Sequence, residues 1–305
     1  MNYGFFIFSL PVTWLLMSIG LLLNIYIVAQ NFIWRVKGHS LQTIDILMTS
    51  LGLVRILFLI SYVPVISSIT AVIPIPVNIY QYYDTAVACV MFCSLWWGTV
   101  LCVFYCVKIT NYSNRLFLRL KMNISRMVPW LLLTSLLVSI LCSLPCRWAV
   151  FSIHYMNSTQ LTNDTNDGNV AININYTNVV ITYLAGSIIP FLIFCAAVSL
   201  LIASLLKHTR NMSSNNSGFT KSQLDAHKRT IINMTSFLFF YILFLIGINL
   251  MPFAFQVENT SYRFLCSILC ISYPALHSIM LIANNGNLKR AINAVFRCAR
   301  KWPHV

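Results

Sequence analysis

Acidic side chains are nearly missing from this chain. Six Asp and Glu stand against 20 Lys and Arg in 305 residues, and charged residues of both signs make up only 9%. A soluble domain carries about 25% charge, so this composition cannot cover a water-facing surface. Enzyme signatures are missing too: there is no His-Glu-x-x-His, no phosphate-binding glycine loop, no Gly-x-Ser-x-Gly and no pair of intramembrane aspartates. The expectation is a protein that is not an enzyme and carries no metal or cofactor. Cysteines number ten, but none falls in the polar stretch 150–178. That excludes a disulfide from this stretch to the third apolar run. Cys89/Cys93, Cys102/Cys106 and Cys266/Cys270 sit four apart inside apolar runs without clustered histidines, and read as packing groups rather than metal ligands.

What fills the chain is hydrophobic, at 58%. Apolar runs recur at roughly 5–30, 44–69, 81–107, 127–149, 179–206, 231–255 and 262–283. About 20 residues at 1.5 Å each cross a hydrocarbon core of about 30 Å. The spacing predicts an all-α membrane protein: a seven-transmembrane helix bundle, one domain over 1–305. Seventeen of the 20 basic residues fall in alternate loops and the tail, the exceptions being Arg55, Arg147 and Arg263. Short basic loops stay cytoplasmic, so the N-terminus is expected outside and the tail 284–305 inside. The first run lacks a basic leader and would serve as its own insertion signal. Its few preceding residues are too short for a separate binding domain. The net charge of +14 is spread over four inner segments, which points to anionic membrane lipid and not to nucleic acid.

The stretch 150–178 is Asn-rich and offers glycosylation triplets at Asn157, Asn163 and Asn175; Asn259 offers one in the last outer loop. Triplets also occur at Asn111, Asn123, Asn211, Asn215 and Asn233, on the inner side or within the membrane. Sequons therefore do not orient the chain; the basic residues do. In the tail, Leu288, Ile292, Val295 and Phe296 share one face, predicting a short amphipathic helix on the inner leaflet. Cys298 there is either a free thiol or a palmitoylation site. Prolines 64, 129, 145, 190, 252 and 274 lie in or near the runs and can kink them.

Asp45 opens the second run, and Arg55 lies about 15 Å deeper at the helical rise. A central Arg costs roughly 2.5–3.5 kcal/mol to insert, so it must face the interior and find partners. Asn24 and Ser278 sit at matching depths. The expectation is a structural polar clamp of Asn24, Arg55 and Ser278 joining runs one, two and seven. A proton relay would need further buried carboxylates. His227 and His277 stand alone and read as helix-packing hydrogen bonders. A transporter would show inverted repeats with broken helices, and the two halves show no such similarity.

Seven spans with basic inner loops and an amphipathic tail are the architecture of a G-protein-coupled receptor. The rhodopsin-like signatures are absent: no Asp-Arg-Tyr ends the third run, no Cys-Trp-x-Pro lies in the sixth, no Asn-Pro-x-x-Tyr in the seventh. A different set is present. The third run carries Leu95-Trp96-Trp97-Gly98-Thr99 and continues through Phe104-Tyr105-Cys106-Val107-Lys108 to Asn111-Tyr112-Ser113. The second has Asp45 and Arg55. The fifth ends Leu201-Ile202-Ala203-Ser204-Leu205-Leu206-Lys207-His208. The sixth has His227, Ser236-Phe237-Leu238 and Tyr241. The seventh has Tyr273-Pro274, His277-Ser278 and then Asn285, Leu288 and Lys289. In order and spacing these closely resemble the bitter taste receptors, the taste receptor type 2 family, over nearly the whole membrane core.

The resemblance implies a plasma-membrane chemosensory receptor for small bitter agonists that couples to a gustducin-like heterotrimeric G protein. Val87, Met91, Tyr241, Phe244 and Ser267 match family pocket positions, although each also reads as ordinary core packing. Many members have Trp and Asn at the positions of Val87 and Met91, Trp at that of Ile60, and some have an acid at that of Ser267. A less polar pocket follows, and ligand preferences do not transfer. Tyr105, Lys108, Leu205, His208 and His227 match motifs of the G-protein and activation face. Thr230 and Ile232 depart there from the usual Ala and Lys. The alternatives are a vomeronasal type-1-like receptor and a small membrane transporter or channel.

Overall fold

The structure, a computed structural model, describes residues 3–70, 77–110, 115–154, 170–214, 221–257 and 259–300. Helix α1 (Tyr3–Val36) is followed by α2 (Thr43–Ser61) and α3 (Val63–Thr70), then α4 (Val77–Ile109) and α5 (Arg115–Ser143). A single turn, α6 (Cys146–Ala149), leads into strands β1 (Val150–His154) and β2 (Val170–Ile174). Helices α7 (Tyr176–Ser214), α8 (Lys221–Gln256), α9 (Thr260–Asn284) and α10 (Gly286–Arg300) complete the chain. Seven stretches among the described residues are long and apolar enough to cross a membrane, from Phe8–Val36 to Thr260–Asn284. This is the expected seven-span helical bundle of a multi-pass membrane protein.

Packing follows composition. Helix α4 is apolar around its whole circumference and is the most buried span, in contact with α2, α5 and α7. Helix α9 packs against α1 and α8. Large apolar side chains such as Leu22, Leu137, Ile193 and Phe239 point outward, as a hydrocarbon surround requires. Close helix approach depends on glycine. A Cβ on Gly186 of α7 would stand 2.5 Å from Cζ of the buried Phe92 on α4, and one on Gly247 of α8 would stand 2.9 Å from Cβ of Leu269 on α9.

Helix ends are set by caps rather than by the apolar runs. Helix α1 continues past its apolar run to Val36 and stops where Gly38 takes φ 84° and its N–H returns to the Arg35 carbonyl at 3.0 Å. The Asp45 carboxylate accepts from the Gln42 N–H at 3.1 Å and holds the start of α2. Pro64 removes a backbone donor where α2 passes into α3, and the Tyr83 hydroxyl of α4 donates to the Ser61 carbonyl at that break. Asn285 ends α9 and starts α10: its side-chain oxygen accepts from the N–H groups of Asn287 at 3.0 Å and Leu288 at 3.2 Å. The Tyr26 hydroxyl donates to the Leu288 carbonyl at 2.8 Å and pins the amphipathic α10 to α1.

The two strands fall in the stretch read from sequence as a polar loop, with β1 against α4 and α6. They pair antiparallel from Val150↔Ile174 to His154↔Val170. The alternation of Val170, Ile172 and Ile174 with Ala171 and Asn173 suits a ribbon.

Candidate functional site

At the end of the bundle away from the basic loops lies an apolar cavity of about 110 Å³. Pockets for drug-sized ligands run to roughly 300–1,000 Å³, so a larger guest must displace wall side chains. Phe58 comes from α2 and Tyr62 from its C-cap, Val87 and Met91 from α4, Tyr183 from α7, and Met251 and Phe255 from α8. Asp84 is the one acidic residue in the wall.

Beneath the cavity an aromatic column leads into the core. Phe58 meets Phe244 edge to face, with centroids 5.9 Å apart at 90°. Phe244 stacks on Tyr273 at 4.8 Å and 17°. Tyr273 lies under the Arg55 guanidinium, 5.0 Å from Cζ to the ring centroid. Tyr241 joins from the side, stacked on Phe194 at 4.5 Å and crossing Tyr273 at 84°.

The column ends in a buried polar cluster. Arg55 is fully buried. Its guanidinium reaches His277 Nδ1 and lies 3.5 Å from Ser278 Oγ. Ser278 donates to Asn24 Oδ1 at 2.9 Å, and Asn24 donates to the Gly20 carbonyl at 2.7 Å. No carboxylate partners Arg55 among the described residues; neutral dipoles and the Tyr273 ring solvate it instead.

The Trp97-Gly98-Thr99 segment of α4 works as a junction. Trp97 Nε1 donates to the Leu132 carbonyl of α5 at 3.2 Å. A Cβ on Gly98 would sit 3.0 Å from the Tyr273 hydroxyl, so the missing side chain admits α9. Thr99 Oγ1 lies 3.2 Å from the Pro190 carbonyl of α7 and 3.5 Å from the Tyr241 hydroxyl of α8. Three consecutive residues thus touch four other helices.

The structure brings Asn24, Arg55 and Ser278 together and adds His277, which sequence reasoning treats as solitary. Val87 and Met91 line the cavity. Tyr241 and Phe244 are fully buried below it, and Ser267 is buried with its hydroxyl donating to its own helix at the Arg263 carbonyl, 2.8 Å away. Near the basic end, Leu205 is buried, Tyr105 half-buried and Lys108 exposed. His208 and His227 belong to α7 and α8, with side chains outside the described set. Asn157 and Asn163 lie outside the described residues. Asn175 and Asn259 are exposed, and both cap helices: Asn175 accepts from the Asn178 N–H at 3.2 Å, Asn259 from the Ser261 N–H at 3.0 Å.

The two arginines away from the basic end hold local structure. Arg147 reaches the Tyr82 hydroxyl at 2.9 Å and covers its ring. Arg263 donates to the Ala254 and Phe255 carbonyls at 3.3 and 3.1 Å, satisfying the open end of α8. Asp84 is the wall residue that sequence reasoning passes over. Its rarity is the available signal, as one of six acids in the chain.

Residues 1–300 match the family described as Taste receptor protein (TAS2R). The human taste receptor type 2 member 39 is 31% identical over 283 residues, covering 90% of this chain and 81% of the relative. The Macaca mulatta member 39 is 32% identical over 281 residues, 89% and 81% of the two chains. The Pan paniscus member 4 is 31% identical over 294 residues, 93% and 94%. With seven apolar spans and a match along nearly its whole length, the chain belongs to the taste receptor type 2 family, the bitter-taste G-protein-coupled receptors and not a family of enzymes.

Proposed function

We propose that this chain is a plasma-membrane receptor that binds small bitter-type compounds in the Val87–Met91 cavity and activates a gustducin-like G protein. The N-terminus and the cavity then face outward, and the 284–305 tail faces the cytoplasm, as the basic loops favour. The observation that carries the reading is the continuous aromatic column from Phe58 through Phe244 and Tyr273 to Arg55. It supports a mechanism in which a guest larger than the cavity displaces Phe58, loosens the column and alters how α2 and α9 meet at the Arg55 cluster. Val87 and Met91 contact the agonist; Tyr241 and Phe244 transmit; Ser267 packs. Tyr105, Lys108, Leu205, His208 and His227 form the face presented to the G protein. Agonists shift the population only by binding the activated arrangement more tightly.

The test is a calcium response in cells expressing the chain with a promiscuous G protein carrying a gustducin tail, screened against a broad panel of bitter compounds. The reading expects hits that vanish in mock-transfected cells and when the G protein is omitted. Silence across the panel with normal surface density counts against it, and G-protein-independent solute flux in vesicles would replace it with transport.

A further inference from the structure

The cavity wall is apolar and aromatic except for one charge. Asp84 lines it together with four tyrosines, Tyr62, Tyr83, Tyr176 and Tyr183, and no basic side chain lines it. No described side chain gives the Asp84 carboxylate an ion pair or hydrogen bond. The neighbouring cations are committed elsewhere: Arg147 to Tyr82, Arg263 to the end of α8 and the Phe255 ring. The Tyr83 hydroxyl is committed too, to the Ser61 carbonyl. A carboxylate in an apolar pocket without a counter-charge is costly, and the cost falls when a cation enters with it. Aromatic faces attract cations, most strongly weakly hydrated ones that surrender their water cheaply.

We propose that the cavity selects cationic amines, with Asp84 as counter-charge and the tyrosines as an aromatic wall around a compact quaternary or tertiary ammonium head. This rests on the reading of the cavity as the agonist site, and it names the ligand class. A trimethylammonium group is a fitting probe: it carries a diffuse charge, has no N–H to satisfy and is small enough for a cavity of about 110 Å³.

The test uses the purified full-length receptor and reads binding, not signalling. Radiolabelled choline is equilibrated with it by dialysis and displaced with unlabelled choline or with dimethylbutanol, the analogue in which carbon replaces the quaternary nitrogen. Choline should bind at least about tenfold more tightly than its neutral analogue. Asp84→Asn should abolish that preference and Asp84→Glu should keep most of it, with both variants monodisperse on gel filtration. Three results overturn the proposal: no saturable choline binding to the wild-type receptor, equal displacement by the two compounds, or a preference that survives in Asp84→Asn. A receptor that signals to neutral bitter compounds without preferring choline keeps its function and loses this inference. One that discriminates choline yet activates no G protein does the reverse.

Discussion

Phe244→Leu should raise agonist-independent signalling. Phe244 is fully buried, stacked on Tyr273 at 4.8 Å and met edge-on by Phe58 at 5.9 Å. Leucine keeps most of the apolar bulk and removes both ring pairs. Each pair is worth about 0.5–1.5 kcal/mol beyond area burial, so the loss is about 1–3 kcal/mol. If activation requires Phe58 to leave the column and Phe244 to come off the Tyr273 ring, both contacts stabilise the resting arrangement and not the activated one. Their loss then shifts the balance by about 5- to 150-fold. A resting receptor with about 1% in the activated state would rise at least to about 5%. The assay is G-protein dissociation by resonance energy transfer without agonist, normalised to surface receptor. Phe239→Leu is the control, since Phe239 is exposed on the outer face of the same helix. An unchanged basal signal in Phe244→Leu at normal surface density would mean that the column is equally intact in both states, and the proposed route would fail.

Gly186→Ala should lower the melting midpoint of the purified receptor, with a cost of about 1–3 kcal/mol, because the new methyl would meet Phe92 at 2.5 Å. Adding Phe92→Leu should recover part of that loss, a non-additivity that simple α7 propensity effects cannot produce. Tyr241→Phe keeps the stack on Phe194 and loses only a hydroxyl contact of 3.5 Å with Thr99. Its melting midpoint and surface density should stay near wild type, with a cost of no more than about 1 kcal/mol. Tyr241→Ala should cost about 3–5 kcal/mol and deplete the surface. Asn259→Asp keeps the acceptor that caps α9 and removes the glycan acceptor, so gel mobility should change only if that sequon is used, at unaltered stability. Asn259→Ala should lose about 0.5–2 kcal/mol as well.

The spans and the polar cluster were legible for the same reason: depth in a membrane helix is linear in residue number. An apolar run of 20 residues, or a polar residue ten positions inside one, carries its own coordinate. Asn24, Arg55 and Ser278 meet because they share a depth, where polar partners are few and a buried guanidinium draws them together. Rotation about the helix axis is less legible. Val87 and Met91 line the cavity, whereas Phe244 and Tyr241 turn into the core beneath it, and that depends on packing against Tyr273 and Phe194. His277 illustrates the limit: it touches Arg55 across 222 positions, and no local pattern reports the contact. The β1–β2 ribbon was hidden by its polar, Asn-rich surroundings, although its period-two alternation is visible once sought.

Scarcity of charge finally divides the labour between binding and switching. Arg55 and Asp84 are opposite charges in one bundle, yet they are not paired, and the aromatic column begins in the wall that Asp84 shares and ends at Arg55. Had they met, each would have cancelled the other and the cavity would have lost its sign. Arg55 is instead solvated by His277, Ser278 and the Tyr273 ring, groups on α9, so any movement of α9 against α2 disturbs the solvation of a buried charge. That makes the helix pair sensitive to small displacements. On the proposed reading Asp84 is left as the counter-charge for a cation that enters the cavity. In a chain with six acids among 305 residues, discrimination on the proposed reading is left to one carboxylate and transmission to ring packing, so Asp84→Asn should change which ligands bind while Phe244→Leu changes how readily any of them activates.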